Sequence, residues 1–279
     1  MVSLRFFKTS KENFDLKILF YISFICFLIS SFGFVFDGRV LNYTPLWLKP
    51  LKFAISSLIY SITLIYFVRF IPSERFLVWA NKITSYGLIL ELLIIYFQAA
   101  RGRMSHFNFL TLEDMVLFQI MAVAIVLVWL AFFIYIKGFF SIPLGRNIFL
   151  FSIRMGLIIS FLSMPMAFTM TQPSSADLKK IEANKSPIGF TMGSHSVNEK
   201  DQTKRLPFTS WSRTGGDLRI AHFLGLHGMQ ILPLFGMFLF RFRYDYKMGK
   251  IIISLLSIIY FSFMVFTLMQ ALEGVPFIR

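Results

Sequence analysis

Seven apolar runs govern what this chain can fold into. They lie at about 16–36, 50–71, 78–99, 114–136, 147–170, 218–240 and 250–272. Each is close to the roughly 20 residues an α-helix needs to cross a bilayer. Inside hydrocarbon every backbone N–H and C=O has to be satisfied within the segment or a closed barrel, so runs of this length are helices. The expected fold is therefore all-α: a polytopic transmembrane helix bundle of about seven spans, forming a single transmembrane domain over residues 1–279. The charged fraction, 15%, falls well short of the roughly 25% of a soluble domain, and mean hydropathy is +0.68.

The ends of several runs carry local signals. Thr111-Leu112-Glu113-Asp114 reads as a capping box, with Thr111 as N-cap and an acid three residues on. Gly215-Gly216-Asp217 places a turn and then an N-cap before the sixth span. Trp47 and Trp79 flank spans as interfacial aromatics do. Pro165 and Pro233 fall inside spans five and six and bend them. The one long connection is 171–217; its first part, to Lys185, is polar, and its second holds Ile188, Phe190, Leu206, Phe208 and Trp211 to bury. A connection of that length is more often functional than decorative.

Lys and Arg set the orientation. With the N-terminus inside, the short inner segments hold Arg5, Lys8, Lys11, Lys17, Arg69, Arg75, Lys82, Lys137, Arg146, Arg241, Arg243, Lys247 and Lys250. The short outer ones hold only Arg39, Lys49, Lys52, Arg101, Arg103 and Arg279. The positive-inside rule then gives N-terminus inside, C-terminus outside and 171–217 as a long outer loop. The net charge of +14 is spread over these topology-setting segments and argues for lipid head groups as partners, not nucleic acid. The N-terminal run is longer than a signal-peptide core and is followed by Phe36-Asp37, so it reads as a retained span. Cys26 is the only cysteine, which excludes an intramolecular disulfide and a thiolate metal cluster. Phosphate-loop, serine-hydrolase, zincin and c-type haem motifs are all missing.

The orientation sends all four histidines, His106, His195, His222 and His227, to the non-cytoplasmic side. Glu91 sits seven residues before Gln98, about 10 Å deeper along span three and on a similar face. An ionisable residue at that depth is costly and faces protein or water; Lys52, in the outer part of span two, is a candidate partner. His222 and His227, five residues apart, point roughly 140° away from one another on a regular helix. Either each serves a different neighbour, or Gly225 and Gly228 create an irregularity; otherwise those glycines simply allow close helix approach. His227 and Gln230 share a face.

The blocks Gln98-Ala99-Ala100-Arg101-Gly102-Arg103-Met104-Ser105-His106-Phe107-Asn108 and Gly215-Gly216-Asp217-Leu218-Arg219-Ile220-Ala221-His222-Phe223-Leu224-Gly225-Leu226-His227 resemble sequences of uncharacterised bacterial multi-pass integral membrane proteins. The resemblance implies a helical membrane protein of a bacterial cytoplasmic membrane and transfers neither an activity nor a catalytic residue.

The leading expectation is a histidine/carboxylate site near the outer face of a redox protein or enzyme using a transition metal ion or haem. His106, His222 and His227 are the metal-ligand candidates, for which histidine is the commonest residue. Glu91 and His195 are the catalytic candidates, and Lys52, Gln98, Arg101 and Gln230 line a cofactor or small-molecule substrate. A transporter or channel for a small solute or proton is the alternative, with Glu91 and the histidines read as a relay. The inner halves of spans three and six read as almost wholly apolar, which counts against a path through the membrane. A third reading is a membrane assembly partner that docks another protein through its outer loop.

Overall fold

The computed structural model describes residues 13–72, 75–173 and 175–279; Arg5, Lys8 and Lys11, used above for orientation, lie outside them. The fold is all-helical, with seven helices long and apolar enough to cross a membrane. They are α1 Phe14–Phe36, α2 Leu48–Phe67, α3 Arg75–Ala100, α4 Leu112–Ser141, α5 Ile148–Ser163 continued by a 3-10 segment Met164–Thr171, α7 Arg219–Arg241 and α8 Tyr246–Leu272. A short helix, α6, covers Ser175–Asn184, inside the stretch the sequence reading left as a polar connection.

The spans match the expected ones with two informative differences. Span four is longer at both ends, and at its start Thr111 caps it as anticipated. Its Oγ1 accepts from the Asp114 amide at 3.2 Å and donates to the Asp114 carboxylate at 2.8 Å. Span five changes its winding at Met164, where Pro165 stands at the start of the 3-10 segment; a proline has no N–H to continue the α-ladder.

The chain falls into two compact units. The first comprises residues up to Leu41, Pro45–Ser105 and Gln119–Ile142, and so holds α1, α2, α3 and most of α4. Its packing is legible along α1: Leu16, Leu19, Ser23, Cys26, Ser30 and Gly33 are buried at alternating three- and four-residue intervals, one continuous stripe. Gly33 ends the stripe because a Cβ there would lie 2.5 Å from the Trp47 ring. Gly87 likewise lets α3 approach α4, since its Cβ would meet Val128 at 2.6 Å. Cys26, Ala54 and Leu92 form a small core among α1, α2 and α3.

The second unit comprises Asn42–Thr44, His106–Phe118 and Pro143–Arg279. Its centre is the α5–α7–α8 packing, built on small residues as membrane helices often are. A Cβ on Gly156 would lie 2.7 Å from the Gly228 carbonyl, and Gly225 and Gly236 sit directly on the Ser163 and Ser152 side chains. Two-residue strands tie the loops of this unit together, Asn108–Phe109 with Phe190–Thr191 and Ser196–Val197 with Gly216–Asp217, both antiparallel. Much of the phenylalanine content lies on the outside of the helices, for example Phe14, Phe32, Phe76, Phe133 and Phe266. That is ordinary for surfaces in contact with acyl chains.

Candidate functional site

The first unit contains Glu91, Lys52, Gln98 and Arg101 among the anticipated residues; the four histidines and Gln230 belong to the second. Each set has its own geometry.

In the first unit, α3 carries a polar stripe along one side. Thr84, Glu91 and Gln98 recur every seven residues, which returns a helix to nearly the same face, and all three are buried, as are Asn81 and Ser85 beside them. From Asn81 to Gln98 the stripe runs about 25 Å, most of the roughly 30 Å thickness of bilayer hydrocarbon. The expectation that the first half of span three is almost wholly apolar is therefore corrected. Phe76 and Trp79 there are exposed, while Asn81, Thr84 and Ser85 are buried beside Leu77 and Ala80.

Glu91 is only 6% exposed, and its Oε2 has no hydrogen-bond partner among the described residues. Lys49, in the first turn of α2, acts on it electrostatically; the sequence reading had considered only Lys52, three residues further along the same helix. At the same end of the unit, Gln98 donates to the Met104 carbonyl at 3.2 Å. The Arg101 guanidinium lies 4.9 Å from the centre of the Phe97 ring. Asp37, just past α1, receives a bidentate contact from Arg39 and a 2.7 Å hydrogen bond from the Trp47 indole. These partners hold its carboxyl well below the usual carboxylate range. Arg39 reaches on to the Ala100 carbonyl at 3.2 Å, a cation at the C-terminus of α3 where the helix dipole favours one.

Toward the other end of the same unit a second polar group is centred on Tyr135 of α4, which is 1% exposed. Its hydroxyl donates to Asn81 Oδ1 at 2.8 Å and approaches Thr84 Oγ1 at 3.4 Å. Asp15, buried in the first turn of α1, accepts from the Tyr86 hydroxyl at 3.2 Å and also acts on Tyr135. Sequence reasoning passed over Asp15, Asn81, Thr84 and Tyr135; the seven-residue recurrence ending at Gln98 was the signal that could have found Thr84.

In the second unit the histidines are drawn into separate surroundings. His106 and His195 both pack on Phe107, with ring centres 6.1 and 4.9 Å away, and His106 also meets Phe118 at 5.9 Å. His222 places Nδ1 3.1 Å from the Ser163 carbonyl. His227 packs edge-on against Phe223, 4.3 Å between ring centres, and Gln230 is within hydrogen-bonding reach of it, as their shared face implies. His222 and His227 thus serve different neighbours on a helix that is regular throughout. Gly225 and Gly228 allow close approach, not an irregularity. Among the described residues no three of His, Cys, Asp and Glu gather closely enough to share a metal ion.

The segment before α7 is ordered mainly by polar contacts, which the sequence reading missed. Asp217 precedes the N-cap position, Leu218, and accepts from the Ser212 amide at 2.8 Å, the Arg219 amide at 3.1 Å and the Arg219 side chain. Ser212 Oγ accepts from the Gly215 amide at 3.1 Å, so that amide is already taken up within the turn. Glu199 and Arg205 form a bidentate pair, with bonds of 3.1 and 2.7 Å. Of the apolar residues expected to anchor this loop, Ile188 and Phe208 are exposed.

Comparison of the chain with protein-family models, with curated proteins and with solved structures gave no match.

Proposed function

We propose that the chain is a proton-handling transporter or channel of the cytoplasmic membrane of a bacterium, with Glu91 as its proton carrier. The observation that carries this reading is the Glu91 carboxylate, buried at membrane depth with an oxygen that no described residue satisfies. An intramembrane carboxylate is a standing cost unless it is used, and the usual uses are ion and proton pathways. Lys49, in the first turn of α2, acts electrostatically on the same carboxyl. The Lys and Arg distribution supports an N-terminus inside and a C-terminus outside. In that orientation Lys49, Gln98 and Arg101 stand near the outer surface, and the 171–217 connection is an outer loop.

A metal- or haem-dependent redox site, centred on His106, His222 and His227, has less to support it. The three histidines have different neighbours, Ser163 for His222, Phe223 and Gln230 for His227, and Phe107 and Phe118 for His106, and among the described residues no three of His, Cys, Asp and Glu converge. An optical spectrum and elemental analysis of detergent-purified protein test it directly. Stoichiometric metal or a Soret band that disappears on His222→Ala would reinstate it.

The test of the proton reading is flux. In proteoliposomes with an entrapped pH dye, the wild type dissipates an imposed proton gradient. Glu91→Gln lowers the rate by roughly a hundredfold, and Glu91→Asp retains part of it. Wild-type flux in Glu91→Gln would overturn the reading.

A further inference from the structure

The spanning helices of the first unit bury four oxygens that find no hydrogen-bond partner among the described residues. Serine and threonine in membrane helices normally close their hydroxyl onto a carbonyl of their own helix. Here Ser30 does so to Cys26, Ser31 to Phe27, Ser61 to Leu58 and Thr63 to Ile59. Ser23 and Ser85 do not, although both are fully buried. The hydroxyl of Tyr60 and Oε2 of Glu91 share their condition: none of the four has a hydrogen-bond partner among the described residues. A buried polar atom left unmade costs about 1–3 kcal/mol, and such atoms in native interiors are ordinarily met by ordered water.

Their placement is directional. Asp15 acts on Tyr135, whose hydroxyl bonds to Asn81 and approaches Thr84; Thr84 stands seven residues, about 10 Å, before Glu91 on the same face of α3. Ser85 is next to Tyr86 in the chain, and Tyr60 acts electrostatically on Tyr135, which in turn faces Asp15, Asn81 and Thr84. Among the described residues the titratable groups of this interior include Asp15 and Cys26 from α1, Lys49 and Tyr60 from α2, Glu91 and Tyr96 from α3 and Tyr135 from α4, with the half-exposed Tyr86 at its edge. A carboxylate in the first turn of α1 has an ordinary reason to exist, since it suits the positive end of the helix dipole. That reason explains neither the Tyr86 contact nor the open hydroxyls on Ser23, Ser85 and Tyr60.

We infer that Asp15 is a second proton-carrying residue, joined to Glu91 by a chain of buried water lined by Ser23, Ser85 and Tyr60. The inference rests on the proton reading of Glu91 and extends it from a site to a path. In each transfer the Asp15 carboxylic acid gives its proton to the first water and becomes a carboxylate. The water chain exchanges one O–H at each member, and the last water protonates the Glu91 carboxylate. One proton moves and nothing is oxidised or reduced.

The full chain in liposomes of phosphatidylethanolamine and phosphatidylglycerol, with pyranine inside, tests it. Asp15→Asn lowers proton flux by roughly a hundredfold, as Glu91→Gln does. Ser23→Ala and Ser85→Ala lower it severalfold while thermal stability is unchanged or raised, because they remove oxygens that make no bond in the fold. A merely structural serine would lose stability and keep flux. Wild-type flux in Asp15→Asn together with loss in Glu91→Gln overturns the path and leaves Glu91 standing. Wild-type flux in Glu91→Gln overturns both. If Asp15→Asn does not fold, the two serine variants decide: undiminished flux in both overturns the path.

Discussion

The two units differ in the hydroxyls that their spanning helices bury. In the second, Ser152, Ser163, Ser257 and Thr267 each donate to a carbonyl of their own helix segment, at 2.7–2.8 Å. Ser160 goes further and serves α7, lying 3.0 and 3.1 Å from the Gly225 and Leu226 carbonyls and accepting from the Met229 amide at 3.1 Å. The Tyr260 hydroxyl closes on the Leu224 carbonyl at 2.6 Å. In the first unit Ser30, Ser31, Ser61 and Thr63 close in the same way, but Ser23, Ser85 and Tyr60 are left open. Polar residues at membrane depth therefore mean different things in the two places. In one they fasten helices together, and in the other three hydroxyls and an oxygen of Glu91 keep hydrogen-bonding capacity that no described residue takes up.

Substitution can break that contrast, most sharply at Glu91. Glu91→Gln removes proton flux by roughly two orders of magnitude with little change in melting, whereas His222→Ala in the second unit leaves flux intact; parallel flux and thermal-melting measurements check both. Next in size is close packing. Gly225→Ala forces a Cβ into the Ser163 side chain and Met264, and the overpacking destabilises the protein by about 2–3 kcal/mol in a reversible unfolding assay in mixed micelles. Gly87→Ala meets only the Val128 side chain and the Ala124 carbonyl at 3.5 Å, so it costs less. The hydroxyls themselves give a smaller and cleaner comparison. Ser160→Ala loses about 1–2 kcal/mol, and Ser85→Ala loses none; equal losses would erase the distinction between the units.

The smallest effect is acid sensitivity at the Asp37 cluster. Its carboxyl is depressed by Arg39 and Trp47, so the stabilisation is complete above the ordinary carboxylate pKa and is lost as pH falls through the folded value. Asp37→Asn flattens the stability–pH curve on that acidic side, which thermal melting of the two proteins across an acid pH series would report.

How much of this was readable beforehand differs between fold and site. The seven spans follow from run length alone, and the Thr111 cap from four consecutive residues, because both are local. The opposite directions of His222 and His227 follow from helix geometry and hold. The polar stripe on α3 escaped notice for a physical reason. Asn81, Thr84 and Ser85 are small and uncharged, so a survey by charge and hydropathy passes over them, and their importance depends on Tyr135 and Asp15 arriving from other helices. Lys49 reads in the sequence as a topology signal, and only the fold brings its charge to bear on Glu91. The order in the segment before α7 comes from Asp217 and Ser212 bonding to backbone amides, which leaves no hydrophobic trace in a sequence.

The Ser160 contact has a consequence for how the protein is made. The chain is synthesised from α5 toward α7, with the 172–218 segment between them, so this hydroxyl is in the membrane before its partner exists. When α7 follows, the Met229 amide and the Gly225 carbonyl find a waiting group on a neighbour that has already been inserted. Assembly of these two helices is then a docking event with a defined recipient and a fixed sense of time. A ribosome halted before Arg219 would leave α5 without the partner that Ser160 reaches for, a nascent chain that quality-control proteases could tell from a finished one.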